Sequence, residues 1–222
     1  MTFVDKPSDN PERVLALTYA PEAAREGLAA LLDLDDALAA LLRSTNEPAI
    51  AQIRLAWWRE NLAALGSTVT PATPVLRSIV DHVVDRGING DRLVAIVEGW
   101  EVLIEAEQMD REALTRFAEK RGGALFAIAG ELLQTPAEHR TGEGWALADL
   151  ARHLDDPAEA AAARLMAGER LASWTRWPRR ARALGALALI ARMDLDVPVG
   201  VSPPVGSPRR VARLAWMRLT GR

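Results

Sequence analysis

Apolar residues recur along this chain at three- and four-residue spacings, interrupted by Pro, Gly and N-cap residues, and no stretch alternates as a strand would. The pattern predicts helices over residues 11–19, 22–43, 48–65, 73–85, 91–108, 111–134, 144–154, 157–173, 179–193 and 208–219. Connections are short except residues 194–207, where Pro and Gly recur among Val and Ser and predict an extended linker. The expected organisation is an all-α bundle over residues 1–193, then a linker and a basic helix over 194–222.

Charged and amide side chains fall inside three of these apolar stripes. At 100° per residue, Leu28, Leu31, Leu32, Leu38 and Leu42 share one face of the second helix with Asp35 at its centre. Its carboxylate is expected to point inward, with Asp33 and Asp36 solvated on the flanks. In the third helix Ile50, Ile53, Trp57, Trp58 and Leu65 define a stripe that contains Arg54 and Asn61. In the helix over 111–134, Leu114, Phe117, Leu125, Ile128 and Leu132 are joined by Arg121.

A buried unpaired charge costs several kcal/mol, so Asp35, Arg54 and Arg121 are expected to meet one another, a ligand or water. Two readings stand side by side. One is an internal ion pair that fixes helix register. The other is a polar floor in an apolar cavity, with a spare Arg to receive an anion such as phosphate. Gly122 and Gly123 interrupt the same helix, each at a cost of roughly 1 kcal/mol against Ala, and imply that something approaches the backbone there, a neighbouring helix ahead of a ligand chain.

Composition supports close-packed helices: Ala (40) and Leu (30) dominate the 222 residues, while Phe and Tyr together number four. The absence of cysteine excludes disulfides, thiolate metal sites and thiol catalysis. No run approaches the roughly 20 apolar residues of a membrane span, and residues 1–12 are too polar for a signal peptide, so a cytoplasmic protein is expected. His82, His139 and His153 lack zinc-ligand spacing, and neither a phosphate-binding Gly loop nor a nucleophile elbow is present.

The net charge of −3 conceals an asymmetry: residues 1–159 hold 27 acidic and 15 basic side chains, residues 160–222 only 3 acidic and 12 basic. Arg and Trp interleave at Arg176, Trp177, Arg179 and Arg180, and again at Arg209, Arg210, Arg213 and Trp216. These segments suit an anionic membrane surface, the plainer alternative being a solvated helix face. Nucleic acid is not expected, because the rest of the chain is acidic and carries no recognised binding motif.

Four segments bring a family into view: residues 31–39 (LLDLDDALA), 54–62 (RLAWWRENL), 73–76 (TPVL) leading to 98–101 (EGWE), and 117–126 (FAEKRGGALF). In this order and spacing they resemble the squalene/phytoene synthase family of head-to-head prenyl-diphosphate condensing enzymes, over residues 12–193. The resemblance implies a bundle of the trans-isoprenyl diphosphate synthase type around a central cavity, with two aspartate-rich helices holding Mg²⁺ against substrate diphosphates. Metal is needed there because ionising an allylic diphosphate leaves a highly charged leaving group.

The chain departs from the family's motifs. Where the first reads Arg-x-x-Asp-Asp-x-x-Asp, this sequence has Leu32, Asp35, Asp36 and Ala39; where the second reads Gln-x-x-Asn-x-x-x-Asp-x-x-x-Asp, it has Ala148, Ala151, Asp155 and Glu159. Such erosion is similar to the family's noncatalytic branch, the mitochondrial complex I assembly factor type. That likeness implies no cofactor, a lipid or isoprenoid ligand or a protein partner, and a cytoplasmic place that extends to the surface of the inner membrane. The alternative is an active Mg²⁺-dependent prenyl transferase whose metal ligands are Asp35, Asp36, Asp155 and Glu159.

Overall fold

The computed structural model describes residues 10–45, 47–67, 72–136, 138–173, 175–198 and 200–222, and the described residues form helices and no strand. Residues 1–9 of the polar stretch 1–12, Trp174 just before the Arg/Trp segment and Val199 of the expected linker lie outside them. The helices are α1 (Pro11–Leu17), α2 (Glu22–Arg43), α3 (Pro48–Ala63), α4 (Pro74–His82), α5 (Asp91–Glu105), α6 (Arg111–Phe117), α7 (Ala124–Leu132), α8 (His139–Leu150), α9 (Pro157–Leu171), α10 (Arg182–Leu195) and α11 (Pro208–Thr220). Side-chain oxygens of Asn10, Asp110 and Asp156 accept hydrogen bonds from first-turn N–H groups of α1, α6 and α9 and fix where those helices begin.

Helix α2 spans the interval expected from its periodicity and lies against α4 and α7, while α3 packs on α5. Helix α8 sits between α9, α10 and the segment joining α6 to α7. That segment, Ala118–Gly123, is π-helical, so the stretch expected as one regular helix is widened at its middle. Its backbone is in close contact with α8. A Cβ on Gly122 would lie 2.0 Å from the Gly142 carbonyl oxygen, and one on Gly142 would lie 2.1 Å from the Gly122 oxygen. The neighbour inferred for the Gly122 region is therefore α8. The same contact explains why α8 starts at His139 rather than 144, since its glycines serve packing and do not break the helix.

Helix α3 departs from the expected wheel. Its core face is Ala51, Leu55, Trp58 and Leu62, whereas Ile50, Ile53 and Trp57 are 44%, 70% and 41% exposed. Both faces are apolar, and the structure buries the one that carries no polar residue.

The chain after 193 packs onto the bundle. Leu214 and Met217 are fully buried, and Met217 approaches Gly185 of α10. The wholly buried Glu12 of α1 accepts from Arg210 Nε at 2.9 Å and Arg210 Nη2 at 2.7 Å, and the same Nη2 lies 2.8 Å from Asp194 Oδ1. The Gly206 N–H donates to Glu12 as well, at 2.8 Å. One carboxylate of the N-terminal helix thus ties down both the linker and α11.

Candidate functional site

Asp35 lies one residue before Asp36 on α2, in the middle of the leucine face, and Arg121 lies in the π-helical segment opposite it. Each is 3% exposed. Arg121 Nε donates to Asp35 Oδ1 and Nη2 to Oδ2, both at 2.8 Å, and the Trp100 indole N–H donates to Oδ1 at 2.9 Å. The third guanidinium nitrogen, Nη1, lies 2.7 Å from Asp149 Oδ2 on α8, at the half-buried edge of the cluster. The guanidinium carbon stands 4.2 Å from the Trp100 ring centroid and 5.0 Å from that of Trp145, a cation held against two aromatic rings.

Local backbone geometry makes this cluster reachable. A Cβ on Gly99 would fall 2.5 Å from the Arg121 backbone nitrogen, so α5 and the π-helical segment touch there, beside Trp100. The electrostatics follow from two carboxylates around one cation. Burial disfavours the charge on Arg121, but Asp35 and Asp149 outweigh it and hold the guanidinium charged above its ordinary range. Burial likewise pushes the Asp149 carboxyl up, and Arg121 overcomes this and sets it below the usual carboxylate value.

The remaining sequence candidates lie elsewhere. Arg54 is exposed on the outer side of α3, where its Nη1 donates to Thr45 Oγ1 at 2.9 Å, so it takes no part in the buried cluster. Asn61, half-buried, donates to the Trp57 carbonyl at 2.7 Å on its own helix. Asp36 is not solvated as expected: it pairs with Arg13 of α1 at 2.7 Å, and burial still leaves its carboxyl above the ordinary range. Asp155 is exposed in the loop before α9, and Glu159 accepts from the Met109 backbone N–H at 2.8 Å.

Among the basic candidates, Arg210 and Trp177 are each 5% exposed and belong to the packed interior. Arg176, Arg179, Arg180, Arg209 and Arg213 are exposed, and Trp216 is 61% exposed.

The buried charge cluster is framed by α2, α5, the π-helical segment and α8, and the first three carry the segments LLDLDDALA, EGWE and the core of FAEKRGGALF. The family model for squalene/phytoene synthase matches residues 8–154, a stretch containing all of them. The chain belongs to the squalene/phytoene synthase family. No curated protein and no solved structure matches it significantly.

Squalene/phytoene synthase chemistry draws on Mg²⁺ held by carboxylates, and three of the four carboxylates at the motif positions, Asp35, Asp36 and Glu159, already have partners within the protein. Asp35 accepts three hydrogen bonds of the roughly four its two oxygens can take. Asp36 is engaged by Arg13 through Oδ1, its Oδ2 being buried without a hydrogen-bond partner among the described residues, and Glu159 is engaged by a backbone amide. Among the described residues, no three His, Asp or Glu side chains gather as a metal ion requires. No helix among the described residues is long and apolar enough to cross a membrane.

Sequence reading did not find Asp149, Trp100 or Trp145 as members of the cluster. Trp100 carried a signal in the EGWE segment, one residue from the Gly99 contact. Asp149 carried none, because it stands half-buried beside its helix's core face and its partner Arg121 sits on a separate element.

Proposed function

We propose that this member of the squalene/phytoene synthase family is noncatalytic and serves as a lipid-, isoprenoid- or protein-binding factor of the assembly type. The observation that supports this reading is the state of Asp35, the first of the paired aspartates of the α2 motif. A metal ion would have to displace a bidentate guanidinium and an indole N–H from a buried carboxylate, and would leave Arg121 with one partner instead of two. Ala39 at the motif's last position removes the next carboxylate on that helix.

The space framed by α2, α5 and α8 is filled where the cluster lies. Arg121, Trp100, Phe117 and Trp145 pack on one another, with the Trp100 and Phe117 rings 6.0 Å apart and edge to face. An anion entering there would face a cation whose charge is already met by two carboxylates.

The test is turnover. Purified protein with Mg²⁺ and farnesyl or geranylgeranyl diphosphate is expected to release no diphosphate above a heat-denatured control, with mass spectrometry of co-purifying lipids and proteins run beside it to name the bound partner. Mg²⁺-dependent turnover that disappears in Asp36→Ala would overturn the proposal in favour of an active condensing enzyme.

A further inference from the structure

Helix α11 has two apolar faces. Leu214 and Met217 point into the bundle. At 100° per residue, Val211, Ala212, Ala215, Trp216 and Leu219 fall together on the opposite side. All five are exposed, Trp216 at 61% and Leu219 at 73%. A helix whose purpose was solubility would carry charges there. Instead the arginines occupy the seams, Arg209 and Arg213 along one border of the outer face and Arg218 along the other, all exposed.

The Arg209 and Arg213 border opens into a groove of about 500 Å³ between α10 and α11, lined by Leu189, Ala212 and Trp216 together with Arg209, Arg213 and Arg222. Its charge is largely uncompensated. Among the described residues the acidic group paired with these arginines is Asp196, 4.0 Å from Arg213 and 78% exposed, and an exposed pair at that distance contributes little. The helix itself is held rigidly, by Glu12 and Asp194 on Arg210 and by Met217 on Gly185.

We infer that the outer face of α11 docks the protein on an anionic phospholipid bilayer, with Trp216 and Leu219 entering the interface and the bordering arginines meeting lipid phosphates. The pattern is that of an interfacial helix: an apolar strip, an indole at the headgroup level, and long cationic side chains that extend from the strip's edges to the phosphates. Charge complementarity selects the occupant. A second copy of this chain would bring arginine against arginine, and an anionic lipid surface is an extended partner that matches the strip and its charged borders at once. The inference is independent of the catalytic reading, because it is measured without substrate.

Co-sedimentation of the full chain with vesicles decides it. Vesicles holding about 30% phosphatidylglycerol are expected to pellet the protein at low salt, and pure phosphatidylcholine vesicles are not; each arginine removed lowers partitioning about fivefold. Added salt weakens pelleting, whereas inorganic phosphate at matched ionic strength gives no further loss, which separates a bilayer from a site for free phosphate. Arg209→Glu with Arg213→Glu, and Trp216→Ser with Leu219→Ser, each reduce pelleting at least tenfold while the melting temperature holds. Arg222→Glu, at an exposed terminal residue, carries the same expectation should a double variant melt early. Failure of the native chain to pellet with anionic vesicles, specific competition by inorganic phosphate, or pelleting unchanged in these variants overturns the inference and leaves the face to a soluble anion or a protein partner.

Discussion

Arg121 grips Asp35 with two parallel hydrogen bonds of 2.8 Å, deep in the bundle and 86 residues away along the chain. The pair joins α2 to the π-helical segment, and Asp149 extends it to α8, so three elements share one buried cation. In a family whose chemistry places metal against the aspartates of α2, a guanidinium stands beside the aspartate here and neutralises it.

Removing one member of this cluster should be far more damaging than removing both. Asp35→Ala leaves Arg121 under-compensated and is expected to cost about 3–5 kcal/mol, whereas Asp33→Ala, exposed on the same helix, should stay within about 0.5 kcal/mol. The double substitution Asp35→Leu with Arg121→Met should lie closer to the native protein than either single change, since matched apolar groups abolish the desolvation penalty. Urea unfolding of the four proteins measures the coupling, and additive losses would show that the two residues are not a pair.

The contact between Gly122 and Gly142 predicts a sharp contrast among glycines. Gly122→Ala places a methyl 2.0 Å from a carbonyl oxygen of α8 and should cost at least about 2 kcal/mol. Gly168→Ala on α9, where nothing lies within 4 Å, should gain about 0.5–1 kcal/mol from helix propensity. Thermal melts compare them directly; equal shifts at the two sites would refute the packing account of the π-helical segment.

How far such features could be read beforehand depended on whether one helix contained the whole signal. Asp35 and Arg121 stood out because each lies in the centre of a single apolar stripe, and α2 was bounded correctly by its own periodicity. Arg54 misled because α3 is apolar on two sides, and a wheel ranks faces by hydrophobicity without knowing which one meets α5. Arg210 looked like part of a solvated basic tail because its partner Glu12 is 198 residues distant, and only the folded chain brings them together. Local pattern reports which faces exist; tertiary packing chooses among them.

Arg210 predicts how α11 is retained. Arg210→Ala strands the buried Glu12 carboxylate and should cost about 3 kcal/mol or more, with faster tryptic cleavage at Arg213 and Arg218. Arg209→Ala, one residue away and exposed, should leave stability and the rate of cleavage at Arg213 and Arg218 unchanged. Peptide mapping after brief digestion distinguishes them.

Stability should fall on the acid side in part through Asp149. Its folded carboxyl titrates below its unfolded value, so its contribution is complete above the ordinary carboxylate range and is lost as pH drops through the lowered folded value. Asp36 and Asp194 act oppositely, because burial raises both and the native state takes up their protons more readily than the unfolded chain. Asp149→Asn should therefore flatten the acid limb of the stability curve, while Asp194→Asn steepens it. Urea midpoints recorded as a function of pH test the two signs.

In the proposed noncatalytic protein Asp35 and Asp36 answer to arginines and hold no metal, and a calorimetric titration of Mg²⁺ into the protein with an unreactive prenyl thiodiphosphate tests this. No saturable heat is expected beyond that of Mg²⁺ binding the free thiodiphosphate in a protein-free control. A saturable isotherm that requires the protein and is lost in Asp36→Asn would contradict it.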